Sequence, residues 1–153
     1  LPYNISTEII SKWIVNLKDK FWFECLILMF QKEVADRIIA KPGSKNYGRL
    51  SILTNWLTHS SKLFDVPSEA FIPKPKVKST IIQLKPLSKP LYDVPFDSLE
   101  QLTHLAFSQK RKMLKSSLKK INGEKILKEL NISSKLRPEN LSVIEFCKIA
   151  KFL

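Results

Sequence analysis

The stretch FWFECLILMF, residues 21–30, is almost entirely apolar and aromatic, and Glu24 is its one charged residue. Its length and its polar flanks are typical of a strand that is buried on both faces, as at the centre of an α/β sheet. It is about half as long as a membrane crossing requires. The stretch therefore predicts a buried strand, and we expect no association with a membrane.

Helical spacing of apolar residues flanks this predicted strand on both sides. It runs over residues 9–17 before the strand and over residues 31–40 after it, and Pro42-Gly43 ends the second segment. Residues 50–57, where leucines recur every third or fourth position, predict a third helix. Helices that alternate with buried strands indicate an α/β fold with a parallel-type sheet.

Two further strands are predicted at residues 61–66 and 77–84, which are rich in Val, Ile and Phe. Because they follow each other closely, we expect an antiparallel hairpin at the edge of the sheet. The loop between them is stiffened by Pro67, Pro73 and Pro75. Three strands are fewer than a typical sheet holds, so we expect the others to precede Leu1.

Residues 85–90, KPLSKP, mark a change of composition and the predicted domain boundary. We expect residues 1–88 to form the α/β part and residues 89–153 to form a small all-helical domain. Asp97 is the predicted cap of a helix that ends near Phe107.

Two more helices are predicted in the C-terminal part of the sequence. Residues 110–121 form the first, a basic helix that ends at the Asn122-Gly123 turn. Ser142 with Glu145 has the pattern of a capping box and predicts the start of the second.

The chain is strongly basic, with 26 Lys and Arg against 14 Asp and Glu and a formal net charge of +12. Such a chain is attracted to polyanions, of which nucleic acid is the commonest; a solvated lysine surface is the alternative. Cys25 and Cys147 lie in apolar stretches without metal-ligand spacing, so we interpret them as core residues of a protein in a reducing compartment.

The other aromatic and imidazole side chains receive structural interpretations. The three tryptophans are predicted core residues: Trp13, Trp22 and Trp56. His59 and His104 fall on predicted helical segments without a Ser or Asp at triad spacing, and we interpret both as structural or surface residues.

Two aromatic residues stand beside prolines in segments that favour recognition of a planar base. Pro2 stiffens the backbone before Tyr3, and alternate prolines predict an extended chain that holds Phe71 outward, beside Lys74 and Lys76. A rigid aromatic can stack on a base while lysines contact phosphate. Each aromatic can equally be a buried residue.

The predicted basic helix has an inward face of Leu114, Leu118 and Ile121. The basic side chains on its outward face and at its N-terminal end form a stripe that can follow an RNA backbone. They are Lys110, Arg111, Lys112, Lys115 and Lys119. Charge runs of this kind are also often only solvated faces.

Five segments, in order, resemble the small-subunit ribosomal RNA dimethyladenosine transferases. Leu1-Pro2-Tyr3 is similar to the end of an Asn-Leu-Pro-Tyr motif. The other segments are QKEVADRI (31–38), PGSKNYGRLS (42–51), FIPKPKVKS (71–79) and AFSQKRKML (106–114). Since the chain begins with Leu inside such a motif, we expect it to be the C-terminal part of a longer protein.

The resemblance implies a class I methyltransferase fold, Rossmann-like, followed by a helical domain. It implies that Tyr3 and Phe71 hold a flipped adenine between them, and that the Leu1 carbonyl accepts a hydrogen bond from the exocyclic amine. Leu1, Pro2, Tyr3 and Phe71 are thus the expected catalytic residues, acting by orientation, with no metal.

The family's methyl donor is S-adenosylmethionine, which it binds through a glycine-rich loop and an acidic residue. This chain holds only Gly43, Gly48 and Gly123, without a G-x-G arrangement. We therefore expect no cofactor-binding residue here, and we expect these residues alone to be inactive.

The resemblance implies a cytoplasmic, monomeric enzyme that dimethylates two adjacent adenosines near the 3′ end of small-subunit rRNA, in the immature 30S subunit. The alternative is a non-catalytic RNA- or DNA-binding module of the same fold, either a ribosome assembly checkpoint or a mitochondrial transcription factor. A third possibility is the macrolide-resistance branch, which modifies large-subunit RNA. The sequences of residues 42–51 and 109–112 resemble the small-subunit enzymes more and therefore favour them over this branch.

Overall fold

The computed structural model describes residues 2–17, 22–109 and 111–153. Among these residues, the main elements follow the order α1 (Ser6–Leu17), β1 (Leu26–Gln31), α2 (Lys32–Ile39), α3 (Arg49–Leu57), β2 (Thr58–Val66), β3 (Ser79–Pro86), α4 (Phe96–Phe107), α5 (Leu114–Ser117), α6 (Gly123–Glu129) and α7 (Val143–Ala150). Short 3-10 turns occur at Ser68–Ala70, Lys119–Ile121 and Pro138–Asn140.

The three strands form one sheet in the order β1-β3-β2, and β3 runs antiparallel to both neighbours. The predicted α/β class and the β2–β3 hairpin are confirmed. The predicted parallel pairing is wrong for these strands. β1 and β2 do run in the same direction, with α2 and α3 between them along the chain, but the hairpin returns β3 into the space between them.

The predicted strand at residues 21–30 is also shorter and less buried than expected. Regular pairing begins only at Leu26, and β1 lies at one end of the three-strand order. Phe30 is fully buried on the face covered by α2, whereas Ile27 on the other face is 61% exposed. The apolar run therefore predicted the strand correctly, but it did not show that only one face of the strand is covered by other elements. Phe21 lies outside the described residues.

A β-bulge interrupts the pairing of β2 with β3. Lys62 faces Ile82 and Phe64 faces Ile81, so Leu63 is one extra residue on β2. A bulge bends its strand and increases the local twist. Pairing resumes beyond it and ends with Val66 opposite Ser79.

Helix α3 is the centre of the helical packing, and it contacts α1, α2, α4 and α7. This central position agrees with the burial of residues on several sides of the helix. They are Ser51, Ile52, Leu53, Thr54, Trp56 and Leu57. The Trp56 side chain is 1% exposed, and its indole N–H donates to the carbonyl of Tyr92 at 2.8 Å.

The segment at residues 42–51, one of the five that resemble the family, is architectural in this structure. The Ser51 hydroxyl donates to the carbonyl of Arg37 at 2.5 Å and accepts from the amide of Gly48 at 3.1 Å. The side-chain amide of Asn55 donates to the carbonyl of Ile38 at 3.0 Å. These bonds fasten the start of α3 to the end of α2, so the segment sets the angle between two helices.

The predicted basic helix at residues 110–121 is not continuous. Helix α5 begins only at Leu114, whose amide donates to the carbonyl of Leu136 at 2.7 Å, while the Lys115 amide donates to Ser134 at 3.1 Å. The first amides of α5 are thus satisfied by the 134–136 segment. Helix α5 ends at Ser117, before the separate 3-10 turn. Leu114 and Leu118 are buried as predicted.

Of the two helix caps predicted for the C-terminal part, one is absent and the other is present in the structure. Asp97 is not a cap, because α4 begins at Phe96 and its N-cap residue is Pro95, without a side-chain bond. The Ser142–Glu145 capping box is confirmed. The amide of Glu145 donates to the Ser142 hydroxyl at 3.1 Å, and the Ser142 amide donates to the Glu145 carboxylate at 2.8 Å.

Several predicted core residues lie at the surface. Trp22 is 44% exposed, and its ring packs edge-on against Trp13 at 5.5 Å, which is itself half-buried. Cys25 is exposed, whereas Cys147 is buried. The aromatic residues before β1 thus pack against each other at the surface, although the apolar sequence predicted that they would be buried.

The two histidines are exposed, which agrees with their interpretation as surface residues. His59 lies on strand β2 rather than on a helix, and His104 lies on α4. The Nδ1 atom of His104 is 3.2 Å from a guanidinium nitrogen of Arg49.

The predicted domain boundary at residues 88 and 89 falls between β3 and α4. This segment is tied to α3, because the Leu87 amide donates to Leu57 at 2.9 Å and the Leu91 amide donates to Trp56 at 2.8 Å. The division into two domains stays a prediction. Within the described part of the chain, every helix is too short or too polar to span a bilayer.

Gly123, at the start of α6, has no room for a side chain. An alanine Cβ there would lie 2.4 Å from the Cβ of Leu118 and 2.8 Å from its carbonyl oxygen. We expect Gly123→Ala to lower the free energy of unfolding by about 1–3 kcal/mol through overpacking, measured by urea denaturation. The matched control is Gly48→Ala, whose added Cβ meets nothing within 4 Å. Equal losses in the two variants would contradict this packing.

Candidate functional site

Tyr3 is held at both its backbone and its hydroxyl. It lies in the turn before α1, where the Ser6 hydroxyl donates to the Tyr3 carbonyl at 3.1 Å. Its own hydroxyl forms a short hydrogen bond with the Ser79 hydroxyl at the start of β3. Tyr3 is half-buried and Pro2 is exposed, while Leu1 lies outside the described residues.

Phe71 lies in the loop of residues 67–78, which leaves β2 after Val66 and enters β3 at Ser79. The loop is not extended as predicted: a 3-10 turn, bends and a cis Ile72–Pro73 bond shape it. The amide of Phe71 donates to the carbonyl of Ser68 at 3.3 Å. Phe71 is half-buried rather than held outward, and its neighbour Ile72 is fully exposed.

Tyr3 and the loop that bears Phe71 therefore meet at one end of the sheet. Val66 and Ser79 form the last pair of the β2–β3 ladder, so the Phe71 loop opens and closes there. The Tyr3 hydroxyl contacts the same Ser79. Residue spacing in the sequence gave no sign of this convergence, because Tyr3 and Ser79 are separated by 76 positions.

The lysines of the Phe71 loop differ in their surroundings. The Lys74 ammonium lies 2.5 Å from the carboxylate of Glu69 in the same loop, and this bond lowers the pKa of Glu69. Lys76 is exposed. The pairing places a negative charge beside Lys74 and reduces the net positive charge that it offers to a polyanion. Glu69 was not among the residues that the sequence identified.

The second cluster of predicted residues surrounds an open concavity of about 1070 Å³. We call it the basic bowl and define it by five lysines: Lys112, Lys115, Lys119, Lys120 and Lys125. The carboxylate of Glu124 also lines it. Arg111 is exposed but does not line the bowl, and Lys110 lies outside the described residues.

The bowl exists because the chain turns at the end of the predicted basic segment. Asn122 adopts a left-handed conformation (φ 55°), and α6 then begins at Gly123. Lys125 on α6 thereby joins the lysines of α5 and the 3-10 turn. The Asn122-Gly123 turn was predicted from the sequence, but the concavity that Lys125 forms with the other lysines was not.

The buried titratable groups are unsuited to proton transfer or nucleophilic attack near neutral pH. Burial is the main cause that raises the pKa of the Tyr47 hydroxyl above its ordinary value, and nearby Glu145 and Cys147 add to it. Burial also raises the pKa of the Cys147 thiol to about 12. Both side chains therefore stay protonated.

The described residues do not fit the methyl donor that the family resemblance implied. Gly43 lies in the α2–α3 connection, Gly48 precedes α3, and Gly123 begins α6. None of the three forms a loop between a strand and a following helix, which is the cradle a nucleotide-like cofactor requires. We derive no chemical step through that group.

Comparisons with known proteins identify what the chain resembles. The sequence profile of the family described as ribosomal RNA adenine dimethylase matches residues 1–153. The chain is 44% identical over 153 residues to "Ribosomal RNA small subunit methyltransferase A" of Pelagibacter ubique, covering 99% of this chain and 58% of that protein. The protein of the same name from Ehrlichia ruminantium is 49% identical over 152 residues, with 98% and 57% covered.

Solved structures give the same result. A dimethyladenosine transferase from Plasmodium falciparum superposes with a TM-score of 0.85 at 29% identity, over 97% of this chain and 62% of that one. The 23S rRNA methyltransferase ErmE superposes with a TM-score of 0.66 at 22% identity, over 100% of this chain and 62% of that one, and shows the fold alone. The chain thus spans between one half and two thirds of the length of these proteins.

Proposed function

We propose that this chain, which belongs to the ribosomal RNA adenine dimethylase family, provides the target-base and RNA-binding elements of an rRNA (adenine-N6,N6)-dimethyltransferase. The enzyme would use S-adenosylmethionine to dimethylate two adjacent adenosines near the 3′ end of small-subunit rRNA. The observation that carries the proposal is the convergence of Tyr3 and the Phe71 loop on Ser79. Curated relatives with 44% and 49% identity support the substrate class.

The role of these residues is to hold and orient a flipped adenine. Tyr3 and Phe71 would stack on its two faces, and the carbonyl of Leu1 would accept a hydrogen bond from its exocyclic amine. Pro2 stiffens the backbone that presents this carbonyl. Catalysis by orientation needs no acid or base from this chain, which agrees with the protonated state of the buried Tyr47 and Cys147.

The basic bowl would bind the RNA backbone. Five ammonium groups around one concavity, with a single carboxylate among them, favour a polyanion over a protein surface of mixed charge. Lys76, Arg111 and Lys110 would add contacts from outside the bowl. Lys74 would contribute less than the sequence suggested, because Glu69 pairs with it.

We place the protein in the cytoplasm as a monomer, acting on the immature 30S subunit, as the resemblance implies. The second candidate is a non-catalytic RNA- or DNA-binding module of the same fold, such as an assembly checkpoint or a mitochondrial transcription factor. The basic bowl is compatible with this candidate, because binding of a polyanion needs no methyl donor, and the identity to methyltransferases opposes it.

The proposal for the target base is tested with an RNA hairpin that carries either the target adenosine or an abasic nucleotide at that position. The ratio of the two affinities is the base-dependent affinity. We expect Phe71→Ala to reduce this ratio by about 5- to 150-fold, since stacking on an aromatic contributes about 1–3 kcal/mol per base. The matched control is Ile72→Ala, which removes a fully exposed neighbour. Equal ratios in the wild type and Phe71→Ala would refute the stacking role.

The basic bowl is tested by reversing two charges. We expect Lys115→Glu with Lys119→Glu to weaken RNA binding by at least about tenfold at low salt and to reduce the salt dependence by about 0.7–0.9 per lost phosphate contact. Lys89→Glu with Lys148→Glu changes the net charge equally at exposed positions outside the bowl. If both pairs weaken binding to the same extent, the bowl has no specific role.

The absence of a donor cradle is tested by calorimetric titration of S-adenosylmethionine into the chain. We expect no heat of binding, because no described glycine forms the required loop. Binding in the micromolar range would show that these residues hold the donor and would contradict this expectation.

A further inference from the structure

The Ser79 hydroxyl lies where Tyr3 contacts the sheet and where the loop that bears Phe71 ends. It forms a hydrogen bond with the hydroxyl of Tyr3, and Ser79 itself is 0% exposed. Both groups are uncharged donors and acceptors, so the bond depends on direction rather than on charge. Rotation of the Tyr3 ring away from its observed position would leave a buried hydroxyl without a partner.

The backbone of Ser79 is fixed from both sides. It pairs with Gln31 on β1 and with Val66 on β2, as the first residue of the central strand. The preceding carbonyl, of Lys78, accepts from the amide of Lys32 at 3.0 Å. Ser79 is therefore a fixed reference point to which the Tyr3 side chain is attached.

The next residue fixes the other side of the Phe71 loop. The Thr80 hydroxyl donates to the carboxylate of Asp65 at 2.6 Å, and Lys62 lies 2.6 Å from the same carboxylate. These two contacts lower the pKa of Asp65, the larger effect being that of Lys62. The base of the loop is thus held by side-chain bonds as well as by strand pairing.

We propose that Ser79 is a positioning residue that sets the spacing between Tyr3 and Phe71. Its side chain orients the Tyr3 ring, while its backbone closes the loop that bears Phe71. The inference rests on the proposed stacking of a base by these two aromatics. It goes further by assigning the relative placement of the two aromatics to one buried hydroxyl.

The test is a double-mutant cycle on the base-dependent affinity defined above. Ser79→Ala removes the hydroxyl from one side of the bond, and Tyr3→Phe removes it from the other while keeping the ring. We expect each variant to reduce the base-dependent affinity by roughly 3- to 10-fold, the net worth of one hydrogen bond. The double variant should lose no more than either single variant, because both changes break the same bond.

A matched control separates positioning from stability. Ser60→Ala removes another buried serine hydroxyl of the same sheet, which donates to the side chain of Asn55 at 2.7 Å. We expect Ser60→Ala to leave the base-dependent affinity unchanged. Its melting temperature should fall at least as far as that of Ser79→Ala, so that a loss of stability alone cannot explain the effect of Ser79→Ala. An equal loss of base-dependent affinity in Ser60→Ala would overturn the proposal.

Two other outcomes are distinguishable. If Ser79→Ala reduces the base-dependent affinity and Tyr3→Phe does not, or if the two effects add, Ser79 does not act through Tyr3 and the proposal fails. If neither Tyr3→Ala nor Phe71→Ala changes the base-dependent affinity, the proposed stacking itself is wrong. In that case the failure belongs to the proposed function rather than to Ser79 alone.

Discussion

The two-sided pairing of β3 is the constraint on which the rest of the structure depends. Every residue from Ser79 to Leu84 faces a partner on both β1 and β2, so the backbone of this strand has little freedom to shift. Its buried Ile82 and Leu84 define the face against which the helices pack. Its first residue defines the end of the sheet where Tyr3 and the Phe71 loop meet. Fold and site are therefore fixed by the same strand.

Periodicity in the sequence predicted the helices and the hairpin more accurately than the sheet. Helices such as α2 depend on contacts between residues a few positions apart, which the pattern contains directly. Strand order depends on pairing between distant segments, so the position of β3 between β1 and β2 was not visible. The stretch at residues 21–30 also misled, because apolar residues on both faces of a strand do not show that both faces are covered.

The residues of the candidate site were predictable as residue types but not as an arrangement. Tyr3, Phe71 and most of the lysines followed from motifs and charge. The contact of the Ser79 hydroxyl with Tyr3 joins distant segments, and the pairing of Glu69 with Lys74 depends on the shape of one loop. The interrupted helix at residue 114 has a physical cause of this kind, since its first amides bond to residues 134 and 136. No local propensity records such a distant partner.

Because Leu63 has no partner on β3, the number of residues in β2 can change at this position without a change in the pairing of β2 with β3. Removal of Leu63 would leave all the partner pairs of β2 with β3 unchanged, because the bulge is the one place where β2 has a residue without a counterpart. Removal of a residue between Phe64 and Val66 would instead draw the Phe71 loop along the sheet by about 3.3 Å, one strand residue. Length variation among related chains is therefore expected to be tolerated at the bulge and excluded beyond it. The hairpin contains one position at which the loss of a residue leaves the start of its loop in place on the sheet.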